Sequence, residues 1–307
     1  MTVRLTMNYI EVEASQIDAA IADDRVAVEQ KVDGTRSLVV LERFEDGSTM
    51  TRYLGRNGGL LKHTAAMQHF SSITPALWTV FGEHPGEVVI DGEIMIDTGE
   101  FVAFDLPFMQ ISGREFSTPS HLYWQRLQLL RTLFHNAPAP LRLVRSEVSA
   151  NGKQALWEDI QRSGGEGVMV KDLESTYDAG VRAKHSRKIK FVKTADVIVT
   201  GSTRGRNDAG RETGSFSFAV KCKTCLGTGL TMVSRCNECS GIGLLALGAC
   251  SAIGKPEVKA GDVIEVAYLY RGEGGNLVQP RMMRVREDKI PNDCTLDQFP
   301  TYSKAVL

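Results

Sequence analysis

The sequence has no apolar run of the roughly 18 residues that a spanning helix needs, so it offers no membrane anchor of that kind. Met1 to Glu13 lacks both a long apolar region and a small-residue cleavage site, which predicts no secretory signal and a cytoplasmic setting. There is no surplus of either charge. With 36 Lys and Arg against 37 Asp and Glu the formal net charge is −1, so any nucleic-acid contact has to come from local patches. Cysteine is scarce, at six. In a reducing compartment such cysteines read as metal ligands or buried thiols before disulfides. What is present is ordinary globular material, 42% hydrophobic and 24% charged over 307 residues, enough for about two domains with cores of their own.

One stretch organises the chain: Val28-Glu29-Gln30-Lys31-Val32-Asp33-Gly34-Thr35-Arg36. A short apolar run ends on Lys31; an acid, a glycine and an arginine follow, and a Val/Leu-rich strand resumes at Ser37. A lysine between two strands, with a glycine permitting a tight turn, is a side chain held on a rigid frame. Before it, Ser15 to Ala22 reads as a short helix capped by Ser15. After it, a hairpin turn at Glu45 to Ser48 leads into Thr49 to Leu54, and Gly55-Arg56-Asn57-Gly58-Gly59 is a turn by composition. In the strand pattern Glu87 to Ile96, Asp91 and Glu93 share one face and Ile90, Ile94 and Ile96 the other. An acid pair on an apolar strand is costly unless solvated or engaged.

Ser120 to Phe134 forms an amphipathic pattern, with Tyr123, Leu127, Leu130 and Phe134 inward and Gln125, Arg126 and Arg131 available to solvent. Asn151 to Arg162 is a second helix, stopped by Gly164-Gly165. Glu166-Gly167-Val168-Met169-Val170-Lys171 opens a strand. In Ser186 to Phe191 cations alternate with apolar residues, so Lys188 and Lys190 point the same way. A new strand set then begins, which puts a domain break at about residue 194. The expected second domain, 195–307, has strands over Asp196–Thr203, Ser215–Lys221, Leu244–Ala252, Asp262–Tyr270 and Met282–Val285. Five such strands suit a small OB-type barrel.

An internal repeat, Cys-x-x-Cys-x-Gly-x-Gly, interrupts that domain at about 221–243, with Cys222 and Cys225 in its first copy and Cys236 and Cys239 in its second. Each pair offers two thiolates, and two pairs complete a closed tetrahedral Zn²⁺ site, structural rather than catalytic. Disulfides are the alternative. The repeat resembles the zinc modules of DnaJ-type chaperones.

The Lys-x-Asp-Gly-x-Arg stretch resembles the nucleotide-attachment motif of the covalent nucleotidyltransferases, the superfamily of ATP-dependent DNA ligases, RNA ligases and mRNA capping enzymes. Five further stretches match that superfamily in order: Arg56 in its turn, Asp91-Gly92-Glu93, Glu166 to Lys171, Lys188 with Lys190, and Arg286-Glu287-Asp288-Lys289. The implied architecture is α+β: an adenylation (nucleotidyltransferase, ATP-grasp-like) domain over 1–194, then an all-β OB-fold domain with a zinc-hairpin insertion. The implied chemistry is attack by Lys31 on the α-phosphorus of ATP, passage of AMP to a 5′-phosphate, and sealing of a nick in duplex DNA.

The resemblance further implies a role for each matched residue. Glu29 contacts the adenine amino group. Phe104 stacks on the base, although a plain core phenylalanine fits the same pattern. Asp33 and Arg36 order the loop and contact the sugar or DNA end, and Arg56 lies near the nucleotide. Glu166, with Glu93 as helper, places Mg²⁺ (or Mn²⁺), whose hardness suits oxygen ligands. Lys188 and Lys190 grip the α-phosphate. Arg286, Asp288 and Lys289 orient the pyrophosphate.

A monomer is expected, in a bacterial or virus-infected cell. The runner-up enzyme is an RNA ligase or a GTP-using capping enzyme, and a non-catalytic zinc module that binds nucleic acid is a third reading. Between Gly180 and Gly214 nine Lys and Arg face three acids, a patch able to neutralise phosphates. The insert is expected to brace a hairpin that touches duplex DNA, with a protein-contact role or simple bracing as alternatives.

Overall fold

The computed structural model describes residues 3–299 apart from Glu83, Val233 and Glu273. Chain contacts separate two units, Met1–Lys190 and Phe191–Leu307.

The first unit runs β1 (Asn8–Val12), α1 (Ile17–Ala22), β2 (Val26–Gln30), β3 (Thr35–Arg43), β4 (Thr49–Leu54), α2 (Thr64–Met67), α3 (Phe70–Phe81), β5 (Gly86–Ile94), β6 (Phe101–Ile111), β7 (Arg114–Ser117), α4 (Tyr123–Phe134), β8 (Leu141–Leu143), β9 (Ser146–Glu147), α5 (Ala150–Arg162), β10 (Gly167–Asp172) and β11 (Arg182–Lys190). One sheet has the order β1-β11-β10-β2-β9 and the other β4-β3-β5-β6-β7, with β8 paired to β6. The strands on either side of Lys31 therefore do not form a hairpin. The chain leaves one sheet at Gln30 and enters the other at Thr35.

The run Leu38-Val39-Val40-Leu41 is buried on both faces, as suits a central strand with no wet side. Val39 and Leu41 pack with Leu77 of α3 and Leu130 of α4. Leu38 and Val40 face the other way, toward Met7, Val89 and Ala183.

Three local expectations are corrected here. Ser15 does not cap α1: it lies inside a 3-10 turn, Ala14–Gln16, and no side chain caps either element. Helix α4 starts at Tyr123 rather than Ser120, with Gln125 Oε1 accepting the Leu122 N–H. Arg126, expected in solvent, is buried because Asp105 on β6 meets its guanidinium with both oxygens, at 2.8 and 3.1 Å. Helix α5 does start as an N-cap should, with Ser149 Oγ accepting the Gly152 N–H.

The second unit holds β12 (Lys193–Arg206), β13 (Glu212–Lys221), β14 (Leu244–Ser251), β15 (Val263–Tyr268) and β16 (Arg281–Val285). They form one sheet, β14-β13-β12-β15-β16, over a core that includes Val197, Phe218, Leu247, Ile264 and Met282. Strand β12 already begins at Lys193, so the division falls a little before residue 194. The nine cations of the Gly180–Gly214 patch are accordingly divided between the units. Five lie on β11 and four on β12, its turn and β13's approach. The cysteine repeat fills the connection between β13 and β14, whose ladder closes on the pair Lys221–Leu244. Among the described residues no helix is long and apolar enough to cross a membrane.

Candidate active site and metal centre

The side chain of Lys31 is fixed by backbone pairing. Its amide donates to the Gly167 carbonyl at 2.9 Å, continuing the β2–β10 ladder by one step. Residues opposite one another in a ladder share a face. Glu29 pairs with Met169, Met169 with Lys188, and Lys188 with Glu11, which makes one row across four strands. Lys190 pairs with Gly167 in the next row, beside Lys31. One face of the first sheet thus carries Glu29, Lys31, Lys188 and Lys190. Lys31 Nζ donates to Glu166 at 2.5 Å, and Glu166 also meets Lys190 at 3.5 Å.

Two glycines permit this geometry by close approach rather than by turning. A Cβ on Gly167 would lie 2.1 Å from the Ile189 oxygen, and its φ of +148° is open mainly to glycine. A Cβ on Gly34 would lie 2.7 Å from the Ile94 oxygen, where the chain crosses to the second sheet. Gly34 is absent from the positive-φ residues, so the tight-turn reason expected for it is replaced by this contact.

Several predicted site residues are held by protein partners. Glu29 is 1% exposed; its carboxylate meets Lys171 Nζ at 2.7 Å and accepts from the Tyr123 hydroxyl. Burial, with the Glu29 charge beside it, keeps the Tyr123 phenol protonated well above its usual range, so it serves as donor. Phe104 is buried with Val32, Val102 and Val144, under the cations of Lys171 (5.0 Å) and Arg36 (5.4 Å). Arg36 is buried and bidentate on Asp91 at 3.0 and 2.6 Å, and donates to the Tyr9 hydroxyl. Tyr177 donates to the same Asp91. Arg36 is therefore placed to order the crossing, not to reach outward. Asp33, on the crossing between the two sheets, and Arg56, on its turn, are exposed.

Sequence reasoning missed Lys171, Tyr123 and Glu11. Lys171 closed a stretch already singled out and is the one a closer reading could have found. Tyr123 reads in the sequence only as an inward position of its helix, and Glu11 arrives through strand pairing that no local pattern shows.

Glu93 accepts the Gly34 N–H at 2.8 Å. Burial pushes its carboxyl up from 4.5 to about 7, against the pull of Lys31 and of that N–H. The sign follows from linkage. Between about pH 5 and 7 the folded state keeps a proton that the unfolded chain has lost, so rising pH weakens the fold across this window. Relative to Glu93→Gln, the wild type should lose stability at up to about 1.4 kcal/mol per pH unit there and run parallel above it. Urea midpoints of both proteins at four pH values check this.

In the second unit, Arg286 binds both oxygens of Asp288 at 2.8 Å and also Asp196 at 2.8 Å. Those bonds hold Asp288 below the usual carboxylate range. Lys289 is partly exposed beside them.

Cys222, Cys225, Cys236 and Cys239 are all buried, with ligand atoms within 4.8 Å of one another. The Sγ separations Cys222–Cys236 and Cys225–Cys239 are 3.8 and 3.6 Å. A tetrahedral Zn²⁺ with Zn–S of about 2.3 Å requires sulfurs about 3.8 Å apart, so the donors fit that ion. A disulfide at about 2.05 Å does not describe these pairs, and the six cysteines are free thiols. The two knuckles repeat each other. The Gly229 and Gly243 N–H groups each donate to a sulfur, of Cys225 and Cys239, at 3.2 Å. Purified protein should carry about one zinc per chain, and Cys225→Ser or Cys239→Ser should lose it, as read by metal analysis after gel filtration.

The fold is a mixed α/β core of the ligase-adenylation type followed by an OB-fold-like sheet, the architecture of known DNA ligases. Residues 101–190 match the family model described as the ATP dependent DNA ligase domain, and the chain also holds a four-cysteine cluster able to bind a metal.

It is similar to a DNA ligase of Methanothermobacter thermautotrophicus, 31% identical over 187 residues, which is 55% of this chain and 34% of that protein. It is also similar to a probable DNA ligase of Streptomyces avermitilis, 28% identical over 312 residues, 86% of this chain and 56% of that protein. The chain thus spans only about a third to a half of these relatives' length. A solved structure from a study of Lig E DNA ligases, described as binding DNA with a minimal scaffold, shares the fold. Its TM-score is 0.56 at 18% identity, covering 93% of this chain and all (100%) of that one.

Proposed function

We propose that this chain is an ATP-dependent DNA ligase that seals nicks through an adenylated Lys31. The observation that carries the reading is the convergence of Lys31, Glu166, Lys188 and Lys190 on one face of the first sheet, in a chain whose residues 101–190 match the DNA-ligase domain.

Attack by Lys31 Nζ on the α-phosphorus forms an N–P bond, breaks the bond to pyrophosphate and releases a proton from the amine. Glu166 is the acceptor already in contact with that amine. Lys188 and Lys190 neutralise charge that gathers on the α-phosphate. In the next step the 5′-phosphate of a nick takes AMP from Lys31. The adjacent 3′-hydroxyl then displaces AMP to close the strand. Glu29, ordered by Lys171 and Tyr123, and Phe104 form the base-recognising end of the site, and Arg286, Asp288 and Lys289 serve the pyrophosphate. Glu166 and Glu93 would hold Mg²⁺ or Mn²⁺, since both offer hard oxygen donors and burial leaves Glu93 short of compensating charge. That ion would supply positive charge to the phosphates.

DNA contact is assigned to local cations: Arg204, Arg206 and Arg211 are exposed on the β12–β13 hairpin. The zinc insert braces the β13–β14 connection.

The test is incubation with Mg²⁺ and α-labelled ATP or GTP, denaturing electrophoresis, then a nicked duplex bearing a 5′-phosphate. Covalent label from ATP and a sealed DNA strand are expected. Label from GTP would move the reading to a capping enzyme, and sealing of RNA alone to an RNA ligase. No label from either nucleotide on folded, zinc-loaded protein would end the enzyme reading and leave a nucleic-acid-binding module.

A further inference from the structure

Along the site face of the first sheet, cations and carboxylates alternate. Lys31 meets Glu166 at 2.5 Å, Glu166 meets Lys190 at 3.5 Å, Lys190 meets Glu11 at 3.9 Å, and Glu11 meets Lys188 at 3.2 Å. Glu11 belongs to none of the six motif stretches. It sits on β1 and is brought to Lys188 by the parallel pairing of β1 with β11, directly opposite that lysine.

The two ends of this chain of charges differ in their contact with water. The Glu166 side chain is 3% exposed, whereas those of Lys188 and Glu11 are 28% and 39% exposed. Breaking the inner, desolvated pairs leaves a buried charge uncompensated. The outer pair is screened by water and is weakly held. An arriving anion therefore displaces Glu11 first, and Glu11 has solvent to swing into.

We propose that Glu11 is a built-in competitor for phosphate at Lys188 and Lys190. It occupies the lysine pair in the free protein and yields when a nucleotide phosphate takes its place. The inference rests on the assignment of these lysines to the α-phosphate. It adds a specificity-setting residue that lowers the resting affinity of the site for anions. The exchange replaces one anion by another on the same ammonium groups, so phosphate is bound no more tightly than its advantage over a carboxylate. A ligand with several phosphates can engage both lysines at once, while one with a small, diffuse charge gains little over the resident Glu11. The same exchange eases departure of a spent nucleotide, because the lysines do not return to an unpaired state.

The experiment is calorimetric titration of wild type, Glu11→Gln and Glu11→Ala with inorganic tripolyphosphate, at low salt and without divalent metal, alongside the ATP labelling assay. Both variants should bind tripolyphosphate roughly three- to tenfold more tightly than wild type. The gain should vanish when Lys188→Gln is added to Glu11→Gln. Thermal melts establish that each variant is folded.

Equal affinity in all three proteins would overturn the proposal and make Glu11 a solvated bystander. Weaker binding in the variants would also overturn it, by showing that Glu11 assists the anion. No binding by any of them would remove the lysine pair as a phosphate site and the proposal with it. Tighter binding in the variants without ATP label on wild type would leave Glu11's role standing and end the ligase reading. Label with unchanged polyphosphate affinity would do the reverse.

Discussion

A Lys31→Ala protein should take up no label from α-labelled ATP while folding as the wild type does. The Lys31 side chain is 17% exposed and ends in one ion pair, to Glu166. Its removal does not orphan that buried carboxylate, because Lys190 still lies 3.5 Å from it. The stability loss should stay at about 1–2 kcal/mol, below the several kcal/mol expected when a buried charge loses every partner. Loss of label would then report missing chemistry rather than a missing fold. Lys31→Arg sharpens the test. It keeps the charge for Glu166 but presents a guanidinium that does not deprotonate and cannot attack, so it too should stay unlabelled. Label retained on Lys31→Ala, mapped by peptide mass, would assign the nucleophile to another side chain.

Lys31 stood out in the sequence because its neighbours are local: an acid, a glycine and an arginine within five residues, between two strand patterns. The five strands of the second unit and the cysteine knuckles were also legible, since a period of two and a repeated Cys-x-x-Cys are both local signals. What escaped depends on contacts between distant segments. Arg126 shows the limit. On a helical wheel it lies at the edge of the apolar stripe, three residues from Tyr123, and its charge alone suggests solvent, yet Asp105 on β6 gives it a buried partner. Glu11 is similar, because only the parallel pairing of β1 with β11 brings it to Lys188. The helix α3 carries Pro75 within it, which reads as a breaker in isolation. Gly34 was recognised for the wrong reason: its need is set by the Ile94 carbonyl on another strand.

Asp91→Ala should be the most destabilising single change near the site. Asp91 is fully buried and accepts from Arg36 twice and from Tyr177 once. Alanine would leave a guanidinium, 6% exposed in its residue as a whole, without its counter-ion, and a buried phenol without its acceptor. Loss of one partner from a buried pair costs about 3–5 kcal/mol. In a unit of this size that amounts to a fall in Tm of about 10 °C, measurable by circular dichroism. The double variant Arg36→Met/Asp91→Leu should recover most of the loss, since replacing both charges by apolar groups removes the desolvation cost with the pair. If Asp91→Ala alone melted within a degree or two of wild type, the network would not hold the crossing. Arg36 links β3 to Tyr9 on β1 and to Asp91 on β5, so the same change should also slow labelling by loosening the segment that carries Lys31.

The cysteine repeat begins one residue after the last pair of the β13–β14 ladder and ends one residue before it, and the Cys222 N–H donates to the Gly243 carbonyl at 3.0 Å. The two ends of the insert are thus already neighbours, as the ends of a two-residue turn would be. The strand pair acts as a socket, and whatever is plugged into it leaves the register below unchanged. Lengthening a loop between fixed ends costs only a slowly growing entropy. A lineage could therefore acquire, exchange or discard this metal-bound cassette without redesigning the sheet that carries it. The bulky side chains it displays, Leu226, Leu230, Met232 and Ile242, are each more than half exposed. They can vary free of the packing constraints that govern the rest of the unit.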